Sequence, residues 1–235
     1  PTIAAQLINM LYNIVDRIYI GHIPDTGAMA LTGVGVCMPL IMIITAFAAL
    51  VGNGGAPRAT IFMGKNKKDD AEKILANCFT MQILLSIILT VVLLIWNRDF
   101  LLAFGASANT IEYAASYMNI YALGTIFVQL TLGMNAFITA QGFAKEGMLS
   151  VLIGAIANII LDPIFIFGLH MGVRGAALAT VISQCCSCIW VISFLFGKRT
   201  TLRIRGKNMG LKAAYILPCL ALGSAIFIMQ GSESI

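Results

Sequence analysis

The chain has 235 residues, of which 59% are hydrophobic and only 11% charged, with a formal net charge of +5 and a mean hydropathy of +0.91. Soluble domains run about 45–50% apolar and about 25% charged, so this chain has too few charges to clothe a water-facing surface. That excludes a soluble globular enzyme, a disordered tail and a disulfide-stapled secreted module, and leaves an all-α polytopic membrane protein.

Residues 26–57, 74–97, 113–144, 147–161, 175–197 and 213–232 contain no Asp, Glu, Lys or Arg. A bilayer-spanning helix needs about 20 apolar residues. Six complete or nearly complete spans are predicted: 1–21, 29–63, 74–96, 110–141, 147–169 and 173–197. A seventh starts near Ala213. Gly52, Gly54, Gly55 and Pro57 are expected to soften the later half of the second span. The runs 26–57 and 113–144 exceed one span and read as long or broken helices. Uniform apolar runs favour helices, because backbone polar groups in lipid must be bonded internally, and the alternation of a barrel is absent. The domain reading is a six-helix transmembrane lobe over 1–197, a basic linker over 198–212 and the start of a second lobe over 213–235. The apolar start at Pro1 and the apolar run before Ile235 predict a piece of a longer protein.

Basic residues set orientation. Lys65, Lys67, Lys68, Lys73, Lys145, Lys198, Arg199, Arg203, Arg205, Lys207 and Lys212 follow the even-numbered spans, against only Arg98 and Arg174 after the odd-numbered ones. This asymmetry predicts a multi-pass plasma-membrane protein, the inner membrane in a bacterium, with a cytoplasmic N-terminus. It explains the net positive charge without a nucleic-acid partner. The lipid bilayer is the first expected partner.

Ionisable residues inside spans cost roughly 2.5–3.5 kcal/mol on translocon scales, so each needs a reason. Asp162 lies in Asn158-Ile159-Ile160-Leu161-Asp162-Pro163. Asn158 and Asp162 share a helix face, and Pro163 frees a carbonyl one turn back and lets the helix bend. The result is an all-oxygen cluster suited to a proton or a hard cation such as sodium. Asn9, Asn13 and Asp16 likewise share a face of the first span. Asp16 and Arg17 lie close enough to Gly21 to snorkel to the interface, so the local pattern alone is neutral. Depth decides. At about 1.5 Å per residue, Asp16, Asp162, Thr180 on the sixth span and Tyr117 on the fourth all fall roughly 8–11 Å below the same surface. One polar chamber is predicted there.

Gln129, Asn135 and Gln141 suggest a polar stripe on the fourth span, lining water or bonding between helices. With Asn13, the residues Gln129 and Asn135 are the candidate substrate-cavity group. Arg58 reads as an orientation residue, His22 and His170 as interfacial, and the twelve methionines as packing more than as a pliable cavity wall. The six cysteines follow no metal-ligand spacing. Gly52–Pro57 lacks the Lys-Ser/Thr ending of a phosphate loop. No hydrolase motif is present, and no catalytic residue, enzyme activity or cofactor is expected beyond a sodium ion or proton as coupling ion.

Two stretches carry a resemblance. One is Gln6-Leu7-Ile8-Asn9-Met10-Leu11-Tyr12-Asn13-Ile14-Val15-Asp16-Arg17-Ile18-Tyr19-Ile20-Gly21. The other is Asn158–Pro163 followed by Gly172-Val173-Arg174-Gly175-Ala176-Ala177-Leu178-Ala179-Thr180, supported by Gly52–Pro57 and Met63-Gly64-Lys65. The chain resembles the N-terminal lobe of a multidrug and toxic compound extrusion (MATE) transporter. The resemblance implies half of a twelve-helix protein whose partner is a second six-helix lobe. It also implies efflux of organic cations or polyaromatic compounds in exchange for protons or sodium. Carried over by position, Asp16, Asn158, Asp162, Thr180 and Tyr117 form the coupling site, the first four around any sodium, with Pro163 as the bend. The alternatives are a lipid-linked sugar flippase of the same superfamily, which needs a cationic cavity, an intramembrane aspartyl protease, or a non-catalytic membrane scaffold. The first would gain if Arg17 faced the cavity. The second lacks its usual Gly-x-Gly-Asp setting.

Overall fold

The computed structural model describes residues 2–232, with side chains described for 3–229. Eight α-helices account for nearly all of it: α1 (Thr2–Gly21), α2 (Gly27–Gly64), α3 (Lys68–Ala103), α4 (Ile111–Leu123), α5 (Thr125–Ala140), α6 (Ala144–Pro163), α7 (Val173–Phe196) and α8 (Ala213–Ser232). No strand occurs among the described residues. By length and apolarity α2, α3, α6 with its extension to Gly168, and α7 can each cross a membrane. The pair α4 and α5, bent by 57° at Gly124, makes a fifth span. Helix α1 has 20 residues, enough for about 30 Å, but Asn9, Asn13, Asp16 and Arg17 make it the more polar span. The fourth expected span is therefore a broken one. Gly124 allows the bend because Val181 of α7 occupies the space a Cβ would need, its Cγ2 standing 2.5 Å from that position.

The second span departs from expectation in the opposite sense. Helix α2 runs unbroken for 38 residues through Pro39 and Pro57. Its glycines thin the helix instead of softening it. A Cβ on Gly52 would lie 2.7 Å from Gly133 Cα of α5, and one on Gly55 would lie 2.7 Å from both Cys78 Sγ and Phe137 Cζ. Small residues let helix backbones approach where lipid offers no hydrophobic drive to association. Helix α3 also overruns its predicted 74–96 at both ends, with a kink at Trp96.

Two apolar clusters hold the bundle. One gathers Ile20, Leu40, Leu101, Met118 and Ala176 near the α1–α2 turn. The other gathers Val51, Leu75, Phe137, Leu195 and Leu202 near the α2–α3 turn. Leu202 belongs to the segment read as a linker. That segment is a packed strap. Leu202 and Ile204 are buried, and the Ile204 N–H donates to the Leu195 carbonyl at 3.1 Å. Gln141 Oε1 accepts from the Leu202 N–H at 2.6 Å and from Thr200 Oγ1 at 2.9 Å. The buried Glu72 carboxylate pairs with Arg205 Nε at 2.7 Å, and Asn77 Oδ1 accepts from the Lys212 N–H at 2.8 Å. Gln141, expected on the polar stripe, is thus spent on the strap.

Arg205→Ala leaves the Glu72 carboxylate with only the Arg203 N–H, at 3.4 Å. Because Arg205 is half-exposed, the loss should lie between surface and buried pairs, about 1–3 kcal/mol. Trypsin should then cut faster after Arg199 and Arg203 in membranes; an unchanged cleavage rate would contradict the strap.

Candidate functional site

Helix α6 carries the sharpest chemistry. Asn158 and Asp162, one turn apart, are both buried, and Asn158 Nδ2 donates to Asp162 Oδ1 at 3.3 Å. The same amide reaches Thr180 Oγ1 of α7 at 3.4 Å. Pro163 has no N–H to offer the carbonyl one turn back, and the helix passes into a π-helical turn, Ile164–Gly168. Its bonds widen accordingly: the Leu169 N–H reaches the Ile164 carbonyl at 2.8 Å and the Met171 N–H the Phe165 carbonyl at 3.1 Å. Such π-turns occur often at functional positions. The turn back into α7 needs its glycines. Gly172 has φ +56°, and a Cβ on Gly175 would stand 2.7 Å from the Phe165 carbonyl. The Gly-x-x-Gly spacing thus locks α7 onto the π-turn and holds Thr180 level with Asn158.

Helix α1 packs along α6 and presents Asp16 to this cluster. The Asp16 and Asp162 carboxyl groups lie within hydrogen-bonding reach of each other. Tyr117 is buried, has Thr180 as a side-chain neighbour, and stacks on Tyr121 with centroids 6.1 Å apart. The four residues selected by depth, with Asn158 selected by helix face, therefore come together across α1, α4, α6 and α7. Asp16 Oδ1, Asp162 Oδ2 and Asn158 Oδ1 are buried without a hydrogen-bond partner. Buried oxygens without partners cost about 1–3 kcal/mol each, more when charged. Two facing carboxylates also repel unless a proton or cation sits between them.

Below this cluster lies a cavity of about 320 Å³ lined by Asn9, Asn13, Tyr12, Tyr121, Thr180 and Gln184, with Met38 and Met42. It shares Thr45, Leu132 and Asn135 with a wider, 830 Å³ cavity that adds Gln6, Asn53 and Ile226 of α8. Volumes of about 300–1,000 Å³ suit small organic molecules. Of the weaker candidates, Asn13 and Asn135 line this space, and Asn135 also donates Nδ2–H to the Gly147 carbonyl of α6 at 3.3 Å. Gln129 is not among the lining residues. It is fully buried and donates Nε2–H to the Ile44 carbonyl of α2 at 2.8 Å, the interhelical alternative. Spacing places a residue on a face but not the rotation of that face. Arg17 is exposed and lines a separate cleft with Leu31, Val34 and Met38. Tyr12, Tyr121 and Gln184 were missed, since an aromatic or amide in an apolar run carries no charge to mark it.

A family model, MatE, matches residues 1–164. The chain belongs to the MatE family. It is 28% identical over 97% of its length to the multidrug export protein MepA of Staphylococcus haemolyticus, covering 50% of that protein. It is 25% identical over 98% of its length to MepA of Staphylococcus aureus, covering 51% of it. The chain thus spans about half the length of the curated relatives it matches. Among solved structures, an outward-facing multidrug resistance MATE transporter superposes with a TM-score of 0.89 at 27% identity, covering 98% of this chain and 51% of that one. An inward-facing form superposes at 0.88 and 27%, covering 99% and 54%. A transporter from Pyrococcus furiosus, described as having a binding pocket of reverse polarity that suggests a different function, superposes equally well at 0.88 and 26%, covering 97% and 50%.

The packing also separates the roles of two amides. Gln129→Leu should change thermal stability by about 1 kcal/mol and leave the affinity for a fluorescent organic cation unaltered. Asn135→Leu should weaken that affinity several-fold. Equal effects on binding would overturn the assignment.

Proposed function

We propose that this chain is the N-terminal lobe of a secondary active multidrug transporter, which works with a second six-helix lobe beginning at α8. The transporter exports organic cations or polyaromatic compounds against protons or sodium. The carrying observation is that the Asp16 and Asp162 carboxyl groups face each other, with one oxygen of each and Asn158 Oδ1 buried without partners. A proton between the carboxyls, or a sodium ion held by Asp16, Asp162, Asn158 and Thr180, removes the repulsion and supplies the missing partners.

The cycle follows from differential binding. Facing outward, the acids are hydrated and take up the coupling cation. The carboxyls then draw together, and α6 can follow because its bonding is already loosened at Pro163 and the π-turn. That movement narrows the cavity at Asn13, Tyr121 and Thr180 and expels the drug. Facing inward, the cation leaves, and the bare acids restore a negative site that attracts a cationic drug. Reciprocity requires that coupling ion and drug oppose each other's binding.

Pocket polarity separates this reading from a sugar-lipid flippase. A diphosphate head group needs a cationic cavity, whereas the charges beside this one are Asp16 and Asp162, and Arg17 lies in the other cleft. Facing carboxyls also occur in aspartyl proteases, but the relatives by name export drugs. The positive-inside asymmetry supports a cytoplasmic N-terminus and strap. The test is drug efflux from vesicles bearing the full-length protein under an imposed sodium or proton gradient. One gradient should drive efflux; failure of both would contradict antiport.

A further inference from the structure

Six free cysteines are present, and two of them meet. Cys78 of α3 and Cys219 of α8 are each about 1% exposed, belong to the same buried apolar cluster, and interact side chain to side chain. The glycines of α2 bring both helices in close. A Cβ on Gly55 would lie 2.7 Å from Cys78 Sγ, and one on Gly54 would run into the Cys219 carbonyl. Both cysteines therefore pack against the Gly54–Gly55 step of α2, Cys78 by its sulfur and Cys219 by its backbone. Cys219 Sγ donates at 3.0 Å to the Tyr215 carbonyl, which orients it. The Arg58 guanidinium lies within electrostatic range of Cys219 and over the Phe62 ring at 5.6 Å. Its Nε is buried without a hydrogen-bond partner. It thus supplies the positive charge that sulfur needs when it attacks as thiolate.

We propose that Cys78 and Cys219 form a redox-sensitive dithiol that peroxide converts to a disulfide, pinning α8 to the first lobe. One thiol gives up its proton and attacks hydrogen peroxide as thiolate, breaking the O–O bond to give a sulfenic acid and hydroxide, which takes that proton and leaves as water. The second thiol then displaces hydroxide from that sulfur, forming the S–S bond and a second water. The two sulfurs together lose two electrons, and the peroxide takes them up. Peroxide is small and neutral, so burial excludes bulkier or charged oxidants more than it excludes this one.

The consequence rests on the proposed function, in which α8 opens the second lobe. A covalent bond between α3 and α8 fixes the two lobes at one angle and stops alternation. Reduction by a thiol restores it.

The test treats membranes containing the full-length protein with hydrogen peroxide, blocks free thiols with a maleimide and maps the digested peptides by mass. The expected product joins the peptides of Cys78 and Cys219, is lost on reduction, and is absent in Cys78→Ser and in Cys219→Ser. Peroxide that leaves both thiols free for the maleimide, or joins either to another cysteine, overturns the proposal. Efflux is read in parallel. Peroxide should cut it at least several-fold in the wild type, reversibly by dithiothreitol, and leave Cys78→Ser unaffected. A cross-link that forms without loss of efflux overturns the locking role alone. Absent efflux before any oxidation counts against the transport reading and leaves the peptide map to judge the dithiol.

Discussion

Replacing Asp162 by Asn should reduce gradient-driven drug efflux by about 10–100-fold, the scale of typical coupling free energies, while the protein still reaches the membrane folded. The substitution keeps the shape of the side chain and its contact with Asn158. It removes one of the two charges whose repulsion the coupling ion relieves. Asp16→Asn should do the same, and the double variant should be no worse than either single one, because the pair acts as a unit. Additive losses would mean that the two acids serve separate steps. Asn158→Ala should fall between, since it removes one ligand oxygen and the bond to Thr180 but leaves both charges.

The second large effect concerns the seam between α2 and α8. A Cβ on Gly54 would collide with the Cys219 carbonyl, and one on Gly223 with the Leu50 carbonyl. Phe47 and Phe227 pack beside this crossing at 4.9 Å. Backbone cannot yield as a flexible side chain can. Gly54→Leu or Gly223→Leu should therefore cost about 3 kcal/mol or more, at the upper end of overpacking penalties, and unseat α8. Thermal unfolding in detergent should shift downward by several degrees for either variant. Gly35→Leu, on an open face of the same helix, is the control and should shift it little. Equal stability of all three proteins would contradict the close approach.

Much of the site was legible because charge in an apolar run is expensive. Asp162 stood out beside Asn158 and Pro163, whereas Asp16 was neutral on its local pattern and was placed by counting residues from the predicted ends, which also put Thr180 and Tyr117 at that level. Helical periodicity also placed Asn158 on the face of Asp162. Rotation about a helix axis was not legible, so the sequence did not show that Gln129 turns to α2 while Asn135 lines the cavity and bonds α6. Proline marked the bend at Pro163 but could not specify a π-turn, which depends on how α7 seats Gly175. The strap escaped for another reason. Leu202 and Ile204 are two apolar residues among Arg199, Arg203 and Arg205, too short a pattern to rise above the charge around it. Cys78 and Cys219 are far apart in sequence, and only the packing of α8 brings them together.

The coupling claim reduces to competition for one charge pair. The most direct measurement is equilibrium binding of a fluorescent organic cation to the purified full-length protein, titrated with sodium at fixed pH and with pH at fixed sodium. The account predicts that one of the two ions weakens drug binding in wild-type protein and that neither does so in the Asp16→Asn, Asp162→Asn double variant. Drug affinity that is unchanged by both ions in the wild type, or still shifted by one of them in the double variant, would contradict it.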